Sequence, residues 1–165
     1  RLNIVAVQLL PMTSVKNYLS LIKFSHTIFA MPFSFIGFFL GVKAGYSPDL
    51  NHLIILFFLV LGCMITARSA AMAFNRYFDR SFDAKNPRTA IREIPSGIIS
   101  EKNALFFTIL MCVLVITCTY FINRICFYLS PVALFVILFY SYTKRCTFFC
   151  HLVLGVGLSL ASIGA

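Results

Sequence analysis

Ala104-Leu-Phe-Phe-Thr-Ile-Leu-Met-Cys-Val-Leu-Val-Ile-Thr-Cys-Thr-Tyr-Phe-Ile122 holds no charged residue. About 20 apolar residues in helical form cross a hydrocarbon core. Backbone groups in lipid must pair within their own segment, so such a run is a helix rather than an open strand. Four further stretches read the same way: Phe24–Val42, Leu50 into Ala70–Phe74, Ile125–Thr143 and Cys146–Ala165. The expectation is an all-α integral membrane protein with a bundle of about five transmembrane helices. Composition agrees. Of 165 residues, 60% are hydrophobic and 12% charged, and mean hydropathy is +0.91. Soluble domains average about 25% charged residues. Disordered, collagenous and secreted disulfide-scaffold classes are excluded.

The spans predict the connections. Asn123-Arg124 and Lys144-Arg145 read as tight helical hairpins, whereas residues 75–103 form a long polar loop with four of the five acidic residues. Pro131 lies inside the fourth span and is expected to kink it or open it locally. Gly37, Gly41 and Gly45 fall on one helix face and permit close helix approach. The six cysteines form no CxxC pair and read as free buried thiols. No cleavable signal sequence is read. The chain ends in apolar sequence and reads as a fragment whose remaining helices are missing.

The net charge is +9. Its basic residues sit between apolar runs, so the partners expected are the lipid bilayer and an anionic substrate, not nucleic acid. Arg1, Lys16, Lys23, Arg68, Arg76, Arg80, Lys85, Arg88, Arg92, Lys102, Lys144 and Arg145 fall on one side, with Lys43 and Arg124 on the other. The positive-inside bias then makes residues 1–20 a cytoplasmic segment and places loop 75–103 on the same side.

The polar motif is Asn75-Arg76-Tyr77-Phe78-Asp79-Arg80-Ser81-Phe82-Asp83, followed by Asn86-Pro87-Arg88-Thr89. On a helix Asn75, Asp79 and Asp83 form one stripe with about 6 Å per turn. Two carboxylates at that spacing repel unless a cation lies between them. Arg76 and Arg80, on an adjacent stripe, are one source; a divalent metal is another. Oxygen donors of this kind suit Mg²⁺, which takes few carboxylates plus substrate phosphate oxygens. Arg88, Arg92, Lys144 and Arg145 would neutralise the remaining phosphate charge.

This motif, with Asn86-Pro-Arg88-Thr89-Ala-Ile-Arg92-Glu-Ile-Pro95-Ser-Gly97, resembles the first aspartate-rich motif of the UbiA family of intramembrane aromatic prenyltransferases. Leu21-Ile-Lys23-Phe-Ser-His26-Thr27, Tyr140-Ser-Tyr-Thr-Lys144-Arg145 and His151-Leu-Val-Leu-Gly155 extend the resemblance over residues 15–165. It implies a fold of about nine membrane helices, of which this chain is the N-terminal half, with residues 21–165 the transmembrane domain. A second aspartate-rich motif lies in a later helical loop of the family. Many members carry Asp after the motif's Asn; this chain carries Arg76, which leaves the metal role to Asp79 and Asp83.

The resemblance implies Mg²⁺-dependent transfer of a polyprenyl group from its diphosphate to an aromatic acid in quinone biosynthesis, in the bacterial inner membrane. The acceptor is 4-hydroxybenzoate or, by the Asn-Pro-Arg-Thr-Ala-x-Arg-Glu-Ile-Pro pattern, the dihydroxynaphthoate of the futalosine route to menaquinone. Asn75, Asp79 and Asp83 would hold the metal–diphosphate, with Asp79 and Asp83 catalytic. Arg88, Lys144 and Tyr140 would contact the diphosphate, and Arg92 either that anion or the loop. Glu93 either pairs with a neighbouring Arg or positions it. Lys23 reads as snorkelling, and His26 and His151 as structural or interfacial. A transporter subunit using Asp79 and Asp83 in an ion path is the alternative of another class.

Overall fold

The computed structural model describes the backbone of residues 11–43 and 49–146, and the side chains of residues 15–23, 27–28, 31–32, 34–43 and 49–143. The expected span beyond Cys146, with His151, lies outside the described residues, as do Gly45 and the side chains of His26, Lys144 and Arg145. The described chain is all helix and turn: α1 (Pro11–Leu21), α2 (Phe24–Lys43), α3 (Leu50–Asp83), α4 (Glu101–Ile122) and α5 (Arg124–Cys146). Among the described residues α3, α4 and residues Arg124–Thr143 of α5 are long and apolar enough to cross a membrane. Their outward side chains are large and apolar, Phe106, Phe121 and Phe135 among them, as lipid rather than water requires.

The helices keep close to their expected bounds except that α3 runs on to Asp83, so the connection to α4 is residues 84–100 and not 75–103; three further differences stand out. Helix α1 falls in the N-terminal segment that the sequence left without an element. Helix α5 runs through Lys144 and Arg145 instead of stopping before them; basic side chains in a last turn face the negative end of the helix dipole and favour continuation. Pro131 does not interrupt α5 either. A proline removes the N–H that would bond the carbonyl four residues earlier. That carbonyl belongs to Phe127, and Ser130 Oγ donates to it at 2.9 Å.

Helix α3 is the centre of the bundle and touches each of the other four helices, α4 most extensively. Gly41 faces open space rather than a neighbouring helix, while at Gly62 an added Cβ would make only an ordinary contact with Cys118 Sγ at 3.9 Å. Cys63, Cys112, Cys118 and Cys126 are free thiols, as expected. One residue joins α4 to α5: Asn123 N–H donates to the Thr119 carbonyl at 3.2 Å, and Asn123 Oδ1 accepts from Ile125 N–H at 3.4 Å. At 34 residues α3 is about 50 Å long, against about 30 Å of hydrocarbon. Its last turns, Asn75–Asp83, therefore extend beyond the apolar layer.

The loop after α3 packs there. Leu21, Ala73, Ile94, Ile99 and Ala104 form a buried cluster, with Tyr18, Tyr77 and Phe107 against it. Tyr18 and Phe107 meet with ring centroids 4.9 Å apart. Gly97 takes a left-handed φ of 78°, which lets the loop reverse so that Ile99 N–H reaches the Glu93 carbonyl at 2.9 Å. Residues 84–100 thus carry two apolar anchors and a ladder of short turns. Ser100 caps α4, accepting from Asn103 N–H at 3.3 Å.

Candidate active site

Asn75, Asp79 and Asp83 all lie on the last three turns of α3, at helical positions that share one face. Carboxylates are disfavoured at a helix C-terminus, where carbonyl dipoles already present negative charge. The loop offsets this. Arg92 Nη1 donates to both oxygens of Asp83, at 2.8 and 2.7 Å. The Asp83 side chain is 10% exposed and that of Arg92 33%. Thr89 Oγ1 donates to the Asp83 carbonyl at 3.0 Å, tying the loop to the helix end. Asn86 Oδ1 accepts from Arg88 N–H at 3.1 Å, a turn that Pro87 favours by fixing its own φ. The Arg88 side chain is exposed.

Arg76 and Arg80 do not stand between the carboxylates as their spacing suggested. Arg76 is buried and pairs with Glu93, Nη1 to Oε2 at 3.4 Å. Glu93 also accepts from Ser20 Oγ, so one carboxylate joins α1, α3 and the loop. This resolves the Glu93 alternatives in favour of pairing. Arg80 Nε lies 2.9 Å from Glu101 Oε2 on α4, its Nη1 donates to the Tyr77 carbonyl at 2.9 Å, and its guanidinium stacks 4.4 Å from the Tyr77 ring centre. Both arginines face the neighbouring elements because the loop returns along that flank. A cavity of about 400 Å³ opens there, lined by Arg80, Ser81, Ala84, Ile94, Pro95 and Glu101; its charges neutralise each other.

Tyr140 is half-buried on α5. Phe78 and Tyr142, ring centroids 6.1 Å apart, set the last turns of α5 beside the aspartate-bearing turns of α3. Lys144 follows in that same final turn of α5.

One residue was missed. By sequence Arg68 counts only as a positive charge, yet it lies on α3 seven residues before Asn75, on the same face and about 10 Å deeper. Its Nε is buried without a hydrogen-bond partner. A guanidinium in a membrane helix is costly and marks function by default. The signal was in the sequence: Arg68, Asn75 and Asp79 repeat at spacings of seven and four.

The donor set fits Mg²⁺. It offers only amide and carboxylate oxygens, and Asp83 already embraces a cationic nitrogen with both oxygens. Among the described residues no three His, Cys, Asp or Glu side chains converge. A cation here would therefore take one or two carboxylates, waters and substrate oxygens rather than a closed protein cage.

A family model for the UbiA prenyltransferase family matches residues 30–165. The 4-hydroxybenzoate octaprenyltransferase of Vesicomyosocius okutanii is 35% identical over 118 residues, which make up 72% of this chain and 42% of that protein. The chain thus spans less than half the length of this curated relative. The apo structure of a UbiA homolog from Aeropyrum pernix K1 superposes with a TM-score of 0.74 at 30% identity, over 85% of this chain and 48% of that one. A UbiA homolog from Archaeoglobus fulgidus, bound to DMAPP and Mg²⁺, has the same fold, with a TM-score of 0.68 at 20% identity, over 90% of this chain and 54% of that one. Sequence motif, helical architecture and these likenesses agree: the chain belongs to the UbiA prenyltransferase family.

Proposed function

We propose that the protein carrying this chain transfers a polyprenyl group from a polyprenyl diphosphate to an aromatic acid, in the biosynthesis of a quinone. 4-Hydroxybenzoate is the acceptor that the relative's name favours. The observation that carries the reading is the row Asn75, Asp79, Asp83 at the lipid boundary, met by a loop that brings Arg92 to within 2.7 Å of it.

Asn75, Asp79 and Asp83 would hold Mg²⁺ beside the diphosphate. When bound, Mg²⁺ supplies charge stabilisation for the departing pyrophosphate. Arg88, Arg92 and Lys144 bind the phosphate oxygens, and Tyr140 contributes a hydroxyl from the adjoining end of α5. Their donors are worth more here than in water because the apolar bundle lowers the local dielectric. The prenyl chain lies along the apolar helix faces. Arg68, deeper on the same face of α3, receives the acceptor's carboxylate and orients the ring toward the allylic carbon. Residues 21–165 form the membrane domain, with the N-terminal segment, the aspartate-bearing end of α3 and loop 84–100 on the cytoplasmic side of the inner membrane, as the clustered basic residues favour.

In the full-length protein Asp79→Ala and Asp83→Ala should each lower prenyl transfer by at least about 10²–10³ without loss of the folded membrane domain. Normal turnover in either variant defeats the assignment. Arg68→Ala should raise the KM for the aromatic acid roughly tenfold, equivalent to about 1.4 kcal/mol, and leave that for the diphosphate unchanged.

A further inference from the structure

Arg92 uses one nitrogen, not its two-pronged fork, on Asp83. Nη1 lies 2.8 and 2.7 Å from the two carboxylate oxygens, the position of a cation chelated by both. The carboxylate is 10% exposed, whereas Arg92 retains 33% and so has a path away from it. The backbone beneath Arg92 is fixed: Ile94 and Ile99 are buried, Glu93 is held by Arg76 and Ser20, and the Arg92 carbonyl accepts from Ser96 N–H at 2.9 Å. The side chain can change partner while the loop stays in place.

We infer that Arg92 stands in for the cation at Asp83 while the site is empty and passes to the phosphate oxygens when metal and diphosphate arrive together. This rests on the reading of Asn75, Asp79 and Asp83 as the metal-binding row. A bare divalent ion must expel the guanidinium from its carboxylate, and the two positive charges repel. Diphosphate gives that guanidinium phosphate oxygens, which suit its fork. Metal and diphosphate therefore bind as a coupled pair, each raising the affinity of the other by the same factor. The surrogate cation also keeps the paired aspartates compensated at the negative end of α3.

The test uses the full-length protein in lipid nanodiscs and Mn²⁺ alone, counted by loss of the free-ion paramagnetic resonance signal, then Mn²⁺ with inorganic pyrophosphate. Wild type should bind Mn²⁺ alone weakly and at least tenfold tighter with pyrophosphate. Arg92→Gln should bind Mn²⁺ alone about tenfold tighter than wild type and lose most of the pyrophosphate enhancement. Arg92→Met should do the same and serves where the Gln variant does not fold. Arg92→Lys should return Mn²⁺ affinity toward wild type. Neutral variants that bind Mn²⁺ alone no tighter than wild type overturn the inference, as does a Lys variant as tight as the Gln variant. Asp79→Asn separates the two levels. If it abolishes Mn²⁺ binding while the Arg92 variants change nothing, the metal row stands and the exchange falls. If it leaves Mn²⁺ binding intact, the metal row itself falls, and the exchange with it.

Discussion

The middle of the bundle and its polar end solve the same problem in opposite ways. Within α3 and α4, these hydroxyls bond backward along their own helix: Thr66 to the Gly62 carbonyl at 2.8 Å, Ser69 to Ile65 at 2.7 Å, Thr108 to Ala104 at 2.9 Å and Thr119 to Val115 at 3.0 Å. Each is a local bond that needs no neighbour, and none leaves a polar group to lipid. At the end of α3 the polar groups reach across the chain instead. Glu93 joins Ser20 and Arg76, Arg92 meets Asp83, and Arg80 meets Glu101. Local bonds make spans that depend little on their partners. Distant ones make a site whose geometry depends on the loop.

That contrast can be broken or sharpened by substitution. The largest stability effect falls at Glu93. Arg76 and Glu93 side chains are 10% and 14% exposed, and removing one partner strands the other charge. Glu93→Gln should cost about 2–3 kcal/mol, below the 3–5 typical of a fully buried pair because the contact is long. Chemical or thermal unfolding in detergent measures it, and an unchanged midpoint would erase the distinction between the two regions. Next comes Ser130. Ser130→Ala leaves the Phe127 carbonyl without a donor and should cost about 1 kcal/mol. With Pro131→Ala in the background the backbone N–H returns, and the cost should fall close to zero. Equal costs in both backgrounds would show that the hydroxyl does not replace the bond lost to proline. The smallest effect belongs to Glu101, whose side chain is 60% exposed. Glu101→Gln should change stability by less than about 0.5 kcal/mol; a larger loss would place the Arg80 pair among the anchors of the site.

The same division explains what the sequence disclosed. Helices α2 to α5 were legible because hydropathy is a property of consecutive residues. So was the common face of Asn75, Asp79 and Asp83, a matter of helical period. Helix α1 was not, since it opens on Pro11 and alternates apolar with polar residues. Nor were the partners of Arg76 and Arg80. Their spacing put them near the aspartates, but the return path of residues 84–100 drew them to Glu93 and Glu101. Lys144 and Arg145 read as a break because a basic pair usually ends a span, but the helix continues through them to Cys146. Arg68 was legible in principle: its phase with Asn75 is as regular as that of Asp79.

Helix α3 runs without interruption from Leu50 to Asp83. No joint lies between the part that feels membrane thickness and the part that carries the carboxylates. A thinner membrane that tilts this rod swings the aspartates relative to the headgroup layer, so the lipid composition around the protein becomes a setting on the height at which the carboxylates stand.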